Sequence, residues 1–254
     1  MFLVFNKEKI QTYIVSVLTV ATLIIVASVG NMKTISTSAT TKLLPIYNVK
    51  TNEKKIAFTM NCAWNADDID SILETLKNNN IHITFFMVGD WVDKYPEAVK
   101  KIYDAGHEIG SHSNTHPHVN NLSAEKNLEE INLSVNKIEK ITGQKTDLYR
   151  APYGEYNDIV IKTAQENGYY TIQWNLDTLD YEGLTGDEMW ARIENKLDKG
   201  SIILSHNGTK HTADSLDMLI KNIKAQGFKL VTVSELIYKE NYIINNNGTQ
   251  IKNR

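Results

Sequence analysis

His112 and His116 stand four residues apart within residues 106–118 (G-H-E-I-G-S-H-S-N-T-H-P-H), directly after a short apolar strand pattern and directly before Pro117. Two neutral imidazoles on a turn stiffened by proline can aim their nitrogens at one divalent ion, and imidazole nitrogen suits zinc and similar metals. Such pairs also arise by chance, and a lone strand-end histidine is more often bonded to backbone. Three further stretches share the setting of a strand pattern giving way to a loop: Arg150-Ala151-Pro152-Tyr153-Gly154, Asp177-Thr178-Leu179-Asp180-Tyr181 and Leu204-Ser205-His206. A metal held by the pair would polarise a carbonyl and lower the pKa of its bound water to roughly 7.

These stretches need a scaffold that brings strand ends together. From Lys54 onward, strand patterns at residues 55–59, 83–88, 107–111, 148–150, 169–174, 201–205 and 229–233 alternate with helical ones. Helical spacing is clear in Ile69, Ile72, Leu73 and Leu76, and in Leu128, Ile131, Val135 and Ile138, where Ser123 reads as the N-cap and Gly143 as the stop. Thr185 and Glu188 have capping-box spacing. Strand and helix in alternation imply parallel strands joined by crossovers, and apolar strands buried on both faces fit a closed barrel with helices outside. In such folds the functional groups collect where strands end, as all four motifs do.

Composition sets bounds on this picture. The 254 residues are 42% hydrophobic and 22% charged, ordinary for one globular domain with an appendage. A net charge of −3 and no basic run exclude a nucleic-acid footprint. The single cysteine, Cys62, excludes an intramolecular disulfide framework. Residues 11–31 carry no charge and follow Lys7 and Lys9, so residues 1–30 read as an uncleaved membrane anchor, or else as a signal cleaved near Ala27-Ser28-Val29. The expected organisation is therefore anchor (1–30), polar linker (31–53), main domain (54–238) and polar C-terminal tail (239–254). The main domain is expected outside the cytoplasm, on a single-pass anchor or secreted.

The order of motifs resembles the polysaccharide deacetylase family, the NodB-like carbohydrate esterases, over residues 54–236. The matching residues are His112-Ser113-Asn114-Thr115-His116-Pro117, Arg150 to Gly154, Asp177 to Tyr181 and Leu204 to His206. Leu44-Pro45-Ile46-Tyr47 and Ala63-Trp64 look most like its sporulation-type branch. The resemblance implies an α/β fold, a distorted seven-stranded (β/α) barrel, and metal-dependent removal of N- or O-acetyl groups from glycans such as peptidoglycan. It implies His112 and His116 as metal ligands, with zinc foremost and cobalt, manganese or nickel as alternatives. His206 would be the general acid, oriented by Asp177 or, as second choice, Asp180. Arg150 matches the arginine that positions the catalytic carboxylate, and Tyr153 the residue whose backbone N–H meets the oxyanion. Tyr181 replaces a tryptophan, and with Trp64, Trp91 and Tyr153 it offers faces for sugar stacking.

One motif departs from the pattern. The family carries Phe-Asp-Asp after its first strand, base then metal ligand, where this chain has Met60-Asn61-Cys62. An amide cannot take a proton from water, so Asp68, or else Asp67, is expected either to swing in as the substitute carboxylate or simply to cap the next helix. Cys62 could serve zinc as a thiolate or fill the barrel as a small buried residue. Three functions remain: a membrane-anchored, monomeric, metal-dependent deacetylase of a cell-wall or spore glycan; a glycan-binding relative without a base; and a hydrolase of another amide or ester.

Overall fold

The computed structural model describes Gln11, residues 14–19 and residues 42–253. Gln11 and residues 14–19 are helical, and the rest of the expected anchor lies outside the described residues. Among the described residues no helix is long and apolar enough to cross a membrane. Contacts divide the chain into two compact units, Met1–Thr40 and Thr41–Arg254, and every element below belongs to the second.

In chain order these elements are β1 (Asn48–Val49), β2 (Lys55–Cys62), α1 (Ile69–Asn78), β3 (Thr84–Met87), α2 (Gly89–Lys94), α3 (Pro96–Asp104), β4 (Glu108–Ser111), α4 (Ala124–Thr142) and β5 (Leu148–Tyr149). There follow α5 (Asp158–Glu166), β6 (Tyr170–Thr171), β7 (Leu176–Asp177), α6 (Gly186–Ile193), β8 (Ile202–His206), α7 (Thr212–Ala225), β9 (Lys229–Val231), α8 (Val233–Leu236), β10 (Tyr242–Ile244) and β11 (Thr249–Lys252).

β2 is the axis. It pairs in parallel with β3, β8 and, at its start, β9, within a curled sheet of order β6-β5-β4-β3-β2-β8-β7. The sheet does not close as the expected barrel does. β6 and β7 end its two edges, and the chain itself crosses between them through residues 172–175. β7, read from sequence as loop, is one of its strands because Leu176 and Asp177 register with Ile203 and Leu204 of β8.

Alternation along β2 sorts its side chains into two layers. Ile56, Phe58, Met60 and Cys62 pack outward under the helices, with Ile72, Leu76, Leu216 and Leu219. Ala57 faces the interior with Phe86, Leu148, Ile172 and Ile202, and Thr59 and Asn61 share its side of the strand. Each large apolar side chain buried this way contributes about 1.5–3 kcal/mol relative to exposure. The interior is tight: a Cβ on Gly110 would come within 2.6 Å of the Phe86 ring.

The helix signals hold. The Ser123 hydroxyl accepts from the Lys126 N–H, Gly143 takes the left-handed conformation at φ 73, and Thr185 with Glu188 forms the capping box. Residues 42–53 and 239–252, expected as linker and tail, carry strands instead: β1, β11 and β10 form a second sheet. Their polar composition hid this. Gln250 is fully buried, yet its amide oxygen accepts from the Tyr238 N–H (2.8 Å) and its Nε2 donates to the Tyr238 carbonyl (2.6 Å), so the burial is satisfied.

The loop between the two histidines is held from one side by α4. Glu130 accepts from the Ser113 hydroxyl (2.7 Å), the Asn114 N–H (2.9 Å), the Thr115 N–H (2.8 Å) and the Thr115 hydroxyl (3.0 Å). The clamp is needed because Ser113 (φ 68) and His116 (φ 58) sit in the left-handed region that non-glycine residues avoid. Burial pushes the Glu130 carboxyl upward, but the bonds from Thr115, Ser113 and Asn114 outweigh it and hold the group below its ordinary value of 4.5. A depressed carboxylate stabilises the fold above its unfolded pKa and loses that contribution as pH falls through the folded one. Glu130→Gln is expected to cost about 2 kcal/mol in urea unfolding at neutral pH. The deficit should shrink as the pH drops from 4.5 downward. An equal deficit at acid and neutral pH would show that the charge plays no part in the clamp.

Candidate active site

Parallel register gathers the site at the C-terminal ends of the strands. Asn61 pairs with Phe86 on one side and with His206 on the other, and His112 and Arg150 follow the last residues of β4 and β5. The side chains enclose a cavity of about 470 Å³ lined by Asn61, Trp64, His112, His116, Tyr153, Trp174, Tyr181 and His206, together with Ala63, Gly154 and Leu204. Trp64, Tyr153 and Tyr181, expected as sugar platforms, are on its exposed rim. Trp91, the fourth, is 2% exposed in the core, its indole N–H given to the Asn65 carbonyl. Trp174 is a wall that the reading of residues 169–174 as plain strand missed.

Arg150 is wholly buried. Its NH1 donates to Thr59 Oγ1 (2.9 Å) and Asn61 Oδ1 (3.0 Å), its NH2 to the Gln173 carbonyl (3.2 Å), and the guanidinium lies 4.1 Å from the centre of the Phe86 ring. None of the ion pairs among the described residues includes it. Burial pulls its pKa down to about 9, with the charge of Asp177 acting the other way, so it stays cationic at neutral pH.

These bonds determine what Asn61 presents to the cavity. Arg150 donates to Oδ1, so the amide must turn Nδ2 toward His112, where it donates to Nε2 at 3.2 Å. His112 Nδ1–H in turn donates to the Arg150 carbonyl (2.8 Å). The imidazole is therefore the Nδ1–H tautomer, and its other lone pair is already engaged. Burial first, then the neighbouring His116, keeps His112 well below its ordinary pKa and hence neutral. His116 lies beside it, ring centroids 4.9 Å apart, and burial again lowers its pKa. The Tyr153 ring covers His116 at 4.5 Å and stacks on His118 at 4.4 Å.

His206, expected as the general acid, is bonded to Asp180, the second choice, rather than to Asp177. His206 Nδ1 donates to Asp180 Oδ1 (2.8 Å), and its backbone N–H to Asp180 Oδ2 (2.6 Å). The Thr212 hydroxyl (2.7 Å) and the Tyr181 N–H (3.0 Å) complete the shell of this fully buried carboxylate. Asp177, the first choice, accepts the Leu179 N–H instead (2.9 Å), the local turn bond of an aspartate closing a loop. Its carboxyl is raised, chiefly by burial.

No substitute carboxylate enters the cavity. Asp68 accepts from Asn207 Nδ2 (3.1 Å) and the Gly208 N–H (2.7 Å), holding the loop after His206, while Asp67 is exposed. Cys62 faces the helix layer, as alternation from Asn61 requires, and burial, followed by Asp68, pushes its thiol well above the usual range. A divalent metal here would find two imidazoles, one of them capped by an N–H, and neither carboxylate nor thiolate. Among the described residues no group of three or more His, Cys, Asp or Glu side chains is arranged to hold a metal ion. The donor set does not fit a resident catalytic metal.

Comparison with known proteins places this geometry in a family. A family model described as polysaccharide deacetylase matches residues 48–172. The chain is 34% identical over 193 residues to the uncharacterized protein YlxY of Bacillus subtilis, covering 76% of this chain and 60% of that one. It is 34% identical over 196 residues to a peptidoglycan-N-acetylglucosamine deacetylase of Bacillus cereus, covering 75% of this chain and 92% of that one. Among solved structures, wild-type BA3943 of Bacillus anthracis, a CE4 family pseudoenzyme, superposes with a TM-score of 0.74 at 32% identity, covering 83% of this chain and 73% of that one. A BA3943 mutant with restored enzymatic activity gives 0.73 at 35%, covering 76% and 70%. With the histidine pair, the arginine and the His206–Asp180 dyad on one strand edge, and with relatives of this identity and coverage, the chain belongs to the polysaccharide deacetylase family.

Proposed function

We propose that this chain is a catalytically silent, glycan-binding member of the family, binding a cell-wall polysaccharide of the peptidoglycan type from a single-pass anchor on the outer side of the cell membrane, as a monomer. The single observation that carries the reading is Asn61. At the position of the base it offers Nδ2–H, a donor, to a histidine nitrogen and its oxygen to Arg150, so it can neither accept the proton of an attacking water nor free His112 for a ligand. Flipping the amide does not help, because Nδ2 would then face the Arg150 donors. The aromatic rim remains fit for sugar faces. The family is generally metal-dependent, and when bound a metal supplies a polarised carbonyl and an activated water; here no step is routed through it. The anchor rests on the uncharged run of residues 11–31.

A second reading, an active N-deacetylase, is favoured by one observation, the intact His206–Asp180 dyad poised to protonate a leaving amine. Acetate release from N-acetylated peptidoglycan by the full chain, supplied with zinc or cobalt, separates the two. The expected result is no release above that of His112→Ala, and release from Asn61→Asp larger by about 10²-fold or more, since a positioned base contributes that much. Wild-type release that disappears in His112→Ala would carry the second reading instead.

Asn61→Asp also has a stability consequence. A carboxylate beside the unpaired Arg150 should raise the unfolding free energy by about 2 kcal/mol at neutral pH, read by urea denaturation. A lower stability would mean that the Arg150 charge is compensated in another way.

A further inference from the structure

A second concave surface lies away from the cleft, where the two sheets meet. β6 ends the curled sheet and β10 ends the small one, and with residues 42–46 they enclose a groove of about 360 Å³. Backbone bonds hold its walls together. The Ile46 N–H donates to the Thr171 carbonyl (2.9 Å) at the β6 edge, and the Tyr47 N–H to the Gly248 carbonyl (2.9 Å) in the turn between β10 and β11. Residues 42–46 and 242–246 lie outside residues 48–172, the stretch that the family model matches.

The lining offers ring faces and uncharged hydrogen-bonding groups. Tyr169, Tyr170 and Tyr242 are half-buried in it. The Tyr169 hydroxyl donates to Asn132 Oδ1 (2.8 Å) and the Tyr170 hydroxyl to the Lys239 carbonyl (2.7 Å), which fixes both rings, and the Tyr242 ring stands 6.4 Å from that of Tyr170. The Tyr242 hydroxyl and the side-chain amides of Gln165 and Asn246 bond to none of the described residues, so they are free for a ligand. No carboxylate is among the lining residues, and the one charged side chain, Lys42, has its ammonium 4.9 Å from the centre of the Tyr156 ring. Rings beside neutral amides suit a neutral pyranose, whose C–H face packs on an aromatic while its hydroxyls take hydrogen bonds.

The groove is joined to the cleft by one short stretch of chain. Thr171 lines the groove and Trp174 lines the cleft. Three residues separate them, a span of at most about 11 Å.

We infer that the groove is a second sugar subsite, holding a neutral unit of the same glycan strand that occupies the cleft. The inference rests on the glycan-binding reading above and extends it to a separate set of residues. Two weak subsites on one strand reinforce each other, because binding at the first raises the local concentration at the second.

Calorimetric titration of the full chain with the β-1,4-linked dimer and tetramer of N-acetylglucosamine tests the second subsite. The tetramer is expected to bind about tenfold more tightly than the dimer in the wild type. That advantage should fall to about twofold or less in Tyr242→Ala and in Gln165→Ala, the latter at an exposed helix position where folding is not at stake. Equal affinities in the wild type overturn the second subsite and leave the glycan reading standing. An advantage that persists in both variants also overturns it, since the added units would then be bound in the cleft. Sedimentation showing a dimer of the chain that Tyr242→Ala abolishes would assign the groove to a second copy and overturn it too. No binding of either sugar overturns both readings.

Discussion

The buried guanidinium of Arg150 is the constraint from which the rest of the site follows. It cannot be moved to water without opening the sheet, and it cannot be deprotonated at neutral pH. It therefore dictates the orientation of every amide and carbonyl it touches. Asn61 has its oxygen drawn to Arg150 and its N–H turned on His112, and the Arg150 carbonyl holds the other nitrogen of the same imidazole. One residue thus fixes both the tautomer of His112, through its carbonyl, and, through its guanidinium, the group that engages the remaining lone pair. With an aspartate at position 61 the same geometry would place an acceptor, and a charge, where this chain has a donor.

The scaffold makes this arrangement rigid by repetition. Parallel strands in register bring residues far apart in sequence to one edge, and the two-residue period decides which side chains see the cavity. Thr59 and Asn61 face Arg150 while Cys62 faces the helices. Around that edge, carboxylates act as fasteners. Glu130 ties down the histidine loop, Asp68 the loop beyond His206, and Asp180 the imidazole of His206 with three further donors. The acids of the neighbourhood hold loops in place, and none of them lines the cavity they surround.

The residues that carry the family's motifs were legible from spacing alone, because each follows a strand pattern and strand ends converge: His112, His116, Arg150 and His206 all reach one cavity or its back wall. What was not legible depends on turns. Asp177 and Asp180 lie three residues apart at the same strand end, and only the short helical turn of residues 180–182 shows that Asp180 is the one directed at His206. Asp68 could not be excluded by type or position, since its commitment to Gly208 is a contact across 140 residues. The exclusion of Cys62 was available in principle, because alternation with Asn61 already placed it outward. The openness of the sheet was hidden for another reason. Apolar strand runs look alike whether the last pair closes or the chain spans the gap, and the polar composition of residues 239–252 concealed a sheet whose one buried amide, Gln250, is satisfied by backbone.

The central claim is that Asn61 donates to His112 Nε2 and so occupies the nitrogen a metal would need. Long-range proton–nitrogen correlation spectra of the full chain report imidazole tautomers directly, with His112→Ala identifying the signal. The account predicts a protonated Nδ1 and an unprotonated, hydrogen-bonded Nε2 at neutral pH, unchanged by an equimolar addition of zinc. A His112 Nε2 resonance that moves to a metal-bound position on that addition would contradict it.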